Sequence, residues 1–328
     1  MSRSGRILVT LCLIFVLIMS STAILRAYVF PPATSRSGCI QQLGVGGTTL
    51  SLSQGQSAFY TFSLNSGQSV HFELKSFIGT FCLYLYDNNW NYITSACSSS
   101  PPVTLDYTSS SGGVYFIQVY ANSTPYGSST AELRWSKSHG WFQPDEGTDK
   151  SNPMLIYDAG SFCGVEGTLQ SGDHWYKYSP SSLSSYAWVV SIWGSSGTDY
   201  DLYIYDCNGN RIASAITGSY PDYTYVKTST SCILINVHPY STASPYEYDL
   251  QVSKPYLVSY SLSSTTVKPG ETFTVYYKIY NPLHHSISVV LGASIEDPNG
   301  KIIDDPSHDT SVNVQPGTNW FLGAYKIF

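Results

Sequence analysis

The sequence predicts an all-β protein built from tandem antiparallel β-sandwich or jelly-roll domains, followed by a partial immunoglobulin-like sandwich and preceded by an N-terminal apolar export helix. Three observations support this prediction: an internal repeat, short stretches of alternating apolar and polar residues, and a single long apolar run. Short strands with turn clusters about every 8–12 residues are typical of sandwiches and jelly rolls. Outside the N-terminal segment, no helical spacing of apolar residues persists for three turns.

The N-terminal segment indicates export. Arg3 and Arg6 precede an uncharged run of 19 residues, Ile7 to Leu25, which contains a small-x-small site of the kind signal peptidase cuts, Ser21-Thr22-Ala23. The run is also just long enough to span a bilayer, so a cleaved signal peptide and an uncleaved anchor both stay open. In either case the N-terminal arginines place the rest of the chain outside the cell, secreted or held at the surface.

One block of sequence occurs twice, 119 positions apart. Leu83-Tyr84-Leu85-Tyr86-Asp87 recurs as Leu202-Tyr203-Ile204-Tyr205-Asp206. An aromatic strand precedes each copy, at 59–62 and 175–178, and an apolar strand follows each copy, at 114–120 and 233–237. A shared order of strands and turns at a fixed period indicates two copies of one β-domain.

The repeat and the turn residues divide the chain into six predicted segments. They are a signal peptide or membrane anchor (1–27), an exposed tether (28–45), a first sandwich (46–137), a linker (138–152), a second sandwich (153–254) and an immunoglobulin-like module (255–328). The last module is shorter than the usual ~100 residues. It ends in an apolar strand, Trp320–Phe328, so we expect either a continuation of the chain or an edge strand open to self-association.

Six cysteines follow the export segment, three in each repeat, and export favours disulfides over free thiols. Cys82 and Cys97 flank one predicted hairpin, so strand pairing would bring them to bridging distance. In the second repeat Cys207 and Cys232 are closest in sequence, while the partners of Cys39 and Cys163 stay open. Buried free thiols are the alternative.

The two repeats resemble the bacterial pre-peptidase C-terminal domain. The resemblance rests on a Gly-containing turn before an aromatic strand (Gly172 to Tyr178), the strand and turn Asp201 to Gly209, and the strand Gly113 to Val119. It implies a secreted sandwich that is accessory to a peptidase and non-catalytic, in some members binding calcium or matrix polymers. The family's acidic residue before the aromatic strand falls on Ala58 and His174 here, so the resemblance does not imply a calcium site. Residues 255–328 resemble adhesion-type immunoglobulin-like modules.

No catalytic, cofactor-binding or metal-binding residue is assigned. Asp199, Asp201 and Asp206 are the densest acidic cluster, but Asp206 has the opposite strand parity, and calcium needs about six to eight oxygens. The seven histidines lack a metal-ligand spacing, and no His/Asp pair lies near a candidate nucleophile. Two interpretations of the tyrosines at 84, 86, 203 and 205 stay open: platforms for sugar rings, or packing within the sandwich.

The composition of the chain narrows the classes of function that it can have. Charged residues make up only 12%, the net charge is −6, and the 16 Lys and Arg form no basic stripe, which argues against nucleic-acid binding. We therefore expect a non-catalytic cell-surface or extracellular protein with a structural, adhesive or binding role toward the cell envelope or an extracellular polymer or protein. Two alternatives stay open: the accessory region of a secreted hydrolase, and a carbohydrate-binding module.

Overall fold

The computed structural model describes residues 34–36, 40–137, 146–157, 162–180, 188–218, 221–244, 246–254, 256–264, 270–283, 285–293, 295–296, 302–303 and 309–326. Within these ranges the regular elements are β-strands and none is a helix, so the all-β prediction is confirmed. The predicted export helix lies outside the described residues, and among those no helix is long and apolar enough to cross a membrane. The chain forms two compact units, one of residues 25–186 and 190–252, the other mainly of residues 253–328.

The first half of the larger unit is a sandwich of two sheets. Its strands are β1 (Ile40–Leu43), β2 (Thr48–Ser53), β3 (Ser57–Leu64), β4 (Ser69–Lys75), β5 (Thr80–Asp87), β6 (Tyr92–Ser98), β7 (Val103–Thr108), β8 (Gly113–Ser123) and β9 (Ser128–Ser136). One sheet has the order β3-β8-β5-β6 and the other the order β2-β9-β4-β7. Because side chains alternate between the faces of a strand, Val70, Phe72 and Leu74 of β4 all enter the core.

The second half has strands in the same order. They are β10 (Met154–Ile156), β11 (Phe162–Thr168), β12 (His174–Tyr178), β13 (Trp188–Gly194), β14 (Asp199–Asp206), β15 (Arg211–Ala215), β16 (Asp222–Val226), β17 (Ile233–Ser241) and β18 (Glu247–Ser253). The two sheet orders are β12-β17-β14-β15 and β11-β18-β13-β16. In addition, β10 pairs in parallel with β12, as β1 does with β3. Strands β10 to β18 of the second half therefore occupy the same places, in the same order, as strands β1 to β9 of the first half.

Strand β1 joins the two halves. It lies between β3 and β11, parallel to both, and thereby connects a sheet of each half into one nine-stranded sheet. The expectation of an exposed tether over residues 28–45 is wrong for this strand, in which all four residues are at most 3% exposed. The short segment Ile40–Leu43 is enclosed by β3 on one side and by β11, far along the chain, on the other.

Two disulfides are present among the described residues. Cys82 lies opposite Cys97 on β5 and β6 with the Cα atoms 4.1 Å apart, which confirms the predicted pair. Cys207, in the turn after β14, is bonded to Cys232, with the Cα atoms 5.5 Å apart. Cys39 and the side chain of Cys163 lie outside the described residues.

Removing the Cys82–Cys97 bond by the double substitution Cys82→Ala/Cys97→Ala is expected to lower the free energy of unfolding by about 3 kcal/mol. The reason is the added conformational freedom of the unfolded chain when a loop of roughly 15 residues is opened. Urea unfolding of the two proteins measures the difference. Mass spectrometry of the unreduced wild-type protein is the check on the bond itself, and ready alkylation of both thiols in the folded protein would contradict it.

The smaller unit is also built of antiparallel strands. They are β19 (Tyr256–Leu262), β20 (Thr272–Asn281), β21 (Ile287–Leu291), β22 (Ile295–Glu296), β23 (Ile302–Ile303), β24 (Thr310–Val314) and β25 (Gly317–Lys326). The described strands form a sheet β19-β20-β25 and the pairs β21-β24 and β22-β23. Tyr277 and Tyr325 are buried and share a hydroxyl–hydroxyl hydrogen bond of 2.9 Å. Strand β25 is an edge strand of its sheet, and the immunoglobulin-like assignment stays a prediction.

Candidate functional site

The repeated Leu-Tyr strands place their aliphatic residues inside the sandwich and their tyrosines outside. Leu83 and Leu85 of β5 are fully buried, as are Leu202 and Ile204 of β14. Since neighbouring residues of a strand point to opposite faces, the tyrosines lie on the outer face of the sheet. On this outer face Tyr84, Tyr203 and Tyr205 are half-buried and Tyr86 is 8% exposed. The tyrosines therefore form an outer aromatic face on each half and do not lie inside the sandwich.

In the first half this outer face is covered by its own side chains. Trp90 folds back from the turn after β5 and stacks on Phe116, with ring centroids 4.0 Å apart and an angle of 6° between the planes. Phe59 meets the edge of Trp90 at 5.7 Å, and the Arg36 guanidinium lies 4.4 Å above the ring of Tyr86. The indole therefore closes the surface that the tyrosines would otherwise present.

The turns that follow β5 and β14 share one hydrogen-bonding pattern. Asp206 accepts hydrogen bonds from the backbone N–H of Asn208 and Asn210 and from the Asn210 side-chain amide, at 2.9, 2.9 and 3.0 Å. These bonds favour the ionised carboxylate and lower the pKa of Asp206, the side-chain bond from Asn210 most of all. Asp87 accepts the equivalent bonds from Asn89 and Asn91. Asp206 is thus a turn-forming residue that does not join Asp199 and Asp201.

The second half lacks the covering indole. Gly209 stands where the first half has Trp90, and both residues have positive φ, 86° and 64°. In the space above the outer face, Lys150 Nζ lies 4.2 Å from the ring centroid of Tyr205 and 5.6 Å from that of Trp175. Lys150 precedes β10 by four residues, as Arg36 precedes β1. The same cation–aromatic arrangement is therefore present, but the face beside it is open.

An open cleft of about 750 Å³ lies on this side of the second half. Its walls come from the segment before β10, the turn into β12 and the end of β17. The lining residues are Thr148, Asp149, Lys150, Gln170, Ser171, Gly172, Asp173, Trp175, His238, Pro239, Tyr240, Ser241 and Thr242. Tyr240 is 75% exposed, whereas Trp175 is 9% exposed and forms part of the cleft's base. The cleft thus offers one free aromatic ring together with hydroxyl, amide, carboxylate and ammonium groups.

A histidine–aspartate pair stands in the cleft wall. His238 Nδ1 lies 2.7 Å from Asp173 Oδ1, because β12 and β17 are neighbouring antiparallel strands. The ring of Tyr203 packs edge-on against His238 at 6.2 Å and holds it from the other side. Within the described residues no hydroxyl is hydrogen-bonded to the second ring nitrogen of His238, so the pair has no nucleophile aligned with it. The sequence did not predict this pair, since its members are 65 residues apart and meet only through the strand register.

A group of three carboxyl side chains lies beside Tyr203 of the second half. The structure brings Asp199 and Asp201 of β14 together with Asp222 of β16, with one ligand atom of each within 4.8 Å of the others. Desolvation raises the pKa of Asp222 to about 6, against the hydrogen bonds from Thr217, and the charges of Asp199 and Asp201 add to the rise. Asp201 accepts a hydrogen bond from the Tyr203 hydroxyl at 3.2 Å. Asp201 and Asp222 therefore accept hydrogen bonds from the protein itself, and the three carboxylates are not assigned as a metal site.

Residues 56–121, from the start of β3 into β8, match the family model of the bacterial pre-peptidase C-terminal domain. The first half contains such a domain. No curated protein matches the chain.

Several solved structures are similar to parts of the chain. The pre-peptidase C-terminal domain of collagenase from Bacillus anthracis is 20% identical, with a TM-score of 0.25, over 31% of this chain and 98% of that one. The PBSX exported protein XepA is 9% identical, with a TM-score of 0.23, over 70% of this chain and 99% of that one. The CBM22-1–CBM22-2 tandem domain of Xyn10C from Paenibacillus barcinonensis is 11% identical, with a TM-score of 0.18, over 71% and 99%.

Proposed function

We propose that this chain is a non-catalytic binding region of an exported protein, and that the cleft of its second half holds a hydroxyl-rich extracellular polymer, of which polysaccharide is the best fit. The observation that supports the proposal most is the combination of a free tyrosine ring and convergent polar groups in one open cleft. Ligand sites of this kind join an aromatic or apolar surface to a few placed hydrogen-bonding groups.

The chemistry of the lining favours a neutral ligand. The lining contains one lysine, Lys150, and two carboxylates, those of Asp149 and Asp173, so the cleft has no excess of positive charge that would select an anionic chain. Tyr240 offers an aromatic face on which the C–H side of a sugar ring can rest, and an aromatic side chain gives a large contact area at low entropic cost. Asp173 and His238 already hold each other, so they meet sugar hydroxyls with little further ordering.

The second half is, in this proposal, a second pre-peptidase C-terminal domain. The support is its identical strand order, its matching Asp-Asn turn and the matching positions of Lys150 and Arg36. Export is supported by the N-terminal apolar run and by the two disulfides, which persist in oxidising compartments. The accessory region of a secreted hydrolase is the alternative that the family match favours, and it would use the same cleft to hold a polymeric substrate.

Binding is tested by retention of the full chain on insoluble polysaccharides, with Tyr240→Ala and Asp173→Asn as the cleft variants. We expect each variant to weaken binding about tenfold, which corresponds to ~1.4 kcal/mol. The matched control is Tyr126→Ala, because Tyr126 is 82% exposed but lies on the first half. Equal weakening by the control, or no retention of the wild-type chain on any polymer, would contradict the proposal.

The non-catalytic part of the proposal has its own test. The purified chain is expected to release no soluble sugar or peptide from a polymer that it binds, since the Asp173–His238 pair lacks an aligned nucleophile among the described residues. Release of product that disappears in His238→Ala while binding persists would show that the cleft is an active site.

A further inference from the structure

A set of buried polar side chains lies where the two halves meet. Four adjacent strands contribute one each: Asp249 from β18, Glu166 from β11, Gln41 from β1 and Tyr60 from β3. The strand register places Glu166 opposite Asp249 and Gln41 opposite Tyr60, and Leu43 of β1 is opposite Glu166. Because paired residues point to the same side of a sheet, the four side chains share one face. All four are at most 3% exposed.

Most of their polar atoms have no hydrogen-bond partner among the described residues. This is true of both carboxylate oxygens of Asp249, of Glu166 Oε2, of both amide atoms of Gln41 and of the Tyr60 hydroxyl. The other oxygen of Glu166 accepts a hydrogen bond from the Thr48 hydroxyl. Leaving a buried polar group unsatisfied costs about 1–3 kcal/mol, and more when the group is charged. So many orphaned atoms in one place indicate a ligand that satisfies them together.

Among the residues that the structure describes, no basic side chain is paired with these carboxyl groups. In the described part of the chain, neither Glu166 nor Asp249 takes part in a salt bridge. Burial raises the pKa of Glu166 well above its ordinary value, and the neighbouring carboxyl groups of Asp249 and Glu247 raise it further.

The backbone leaves room for the Asp249 carboxyl. A Cβ atom at Gly164 of β11 would lie 2.6 Å from Asp249 Oδ1, so only glycine permits the carboxyl to occupy this place between β18 and β1. Desolvation raises the pKa of Asp249 to about 8, and the nearby Gln41 amide opposes this rise by favouring the ionised carboxyl. The two side chains approach each other without reaching hydrogen-bond geometry. Glycine at this position therefore lets an acidic side chain of the second half approach an amide of the first.

We propose that Glu166, Asp249 and Gln41, with the Tyr60 hydroxyl beside them, form a binding site for one hard divalent cation at the junction of the two halves. The donors are all oxygen atoms and include two carboxylates, a set that suits Ca²⁺, which accepts flexible coordination by carboxylate and amide oxygens. Mg²⁺ fits less well because it demands near-ideal octahedral geometry and retains water. Two ligands come from each half, so the bound cation fastens the halves to each other.

The test uses the full chain after treatment with a chelator, at about pH 9, because carboxyl groups must lose their protons to bind a metal ion and a higher pH favours that loss. Adding about 10 mM CaCl₂, which exceeds the roughly millimolar dissociation constants of weak extracellular calcium modules, should raise the melting temperature by roughly 3–10 °C. Native mass spectrometry should find one calcium ion per chain. Asp249→Asn keeps the size of the side chain, and it should abolish both the shift and the bound ion.

Asp222→Asn is the matched control, because it removes a carboxylate from the other acidic cluster of the same half. Circular dichroism establishes that both variants are folded. A calcium response that is lost equally in the two variants, or that survives in Asp249→Asn, would overturn the proposal. It would also be overturned by a wild-type chain that binds no calcium and becomes more stable only on acidification, since that result would identify a protonated carboxyl pair.

Discussion

Replacing Trp135 by alanine is expected to lower the free energy of unfolding by about 4 kcal/mol, because truncating a buried tryptophan removes apolar contacts and leaves a cavity. The side chain is 1% exposed, with its ring centroid 5.8 Å from that of Phe62 and 6.4 Å from that of Phe72. Its Nε1 also donates a hydrogen bond of 2.9 Å to the carbonyl of Gly44, in the connection between β1 and β2. The residue thus supports both the first core and the strand that joins the halves.

Chemical unfolding of Trp135→Ala, Trp135→Phe and the surface control Tyr126→Ala measures this effect. The phenylalanine variant retains much of the packing but not the hydrogen bond, so it should lose less than the alanine variant. A loss below about 1 kcal/mol for Trp135→Ala would show that the core collapses around the site, or that the indole is not buried in solution.

Protonation of His174 is expected to lower the free energy of unfolding strongly in acid. It is 5% exposed, its Nδ1 lies 2.8 Å from the Tyr248 hydroxyl, and desolvation lowers its pKa from 6.5 to about 3. A group whose folded pKa is depressed binds its proton more readily in the unfolded chain. Its contribution to stability is therefore complete above pH 6.5 and is lost as the pH falls to about 3, at about 1.4 kcal/mol per pH unit.

The effect of His174 must be measured separately, because the titration of Asp222 changes stability with pH in the opposite direction. The pKa of Asp222 is raised from 3.8 to about 6, so its contribution is present below pH 3.8 and is lost as the pH rises through 6. We therefore expect the stability of His174→Gln, relative to wild type, to improve by about 4 kcal/mol between pH 7 and pH 3. A difference that does not change with pH would contradict a buried, neutral histidine.

Local patterns were sufficient to predict the fold class and one disulfide. The alternation of Leu83 and Leu85 with tyrosines predicts a half-buried strand, and the position of Cys82 and Cys97 on either side of one hairpin predicts their bond. Both depend on residues close together in sequence. Strand β1 could not be predicted in this way, because a four-residue segment with two glutamines has no pattern of its own and is buried by distant strands.

The candidate site depended still more on distant pairing. Asp173 meets His238, and Asp222 joins Asp199 and Asp201, only through the strand order of the sheets. The sequence did contain one signal for the cleft, since Gly209 in the second repeat replaces Trp90 of the first in otherwise similar turns. The sequence alone does not show what this difference means, because Trp90 covers the outer face only through its packing on Phe116.

The substitution Gly209→Trp shows whether the second half binds a polymer because its outer face is open. A Cβ atom at Gly209 would have no neighbour closer than Lys150 Nζ at 3.4 Å, and Trp90 itself adopts a positive φ in the equivalent turn, so tryptophan fits here. The measurement is retention of the variant on a polysaccharide that the wild-type chain binds. We expect a folded Gly209→Trp chain to lose retention as Tyr240→Ala does, and undiminished retention would show that an open outer face is not required for binding.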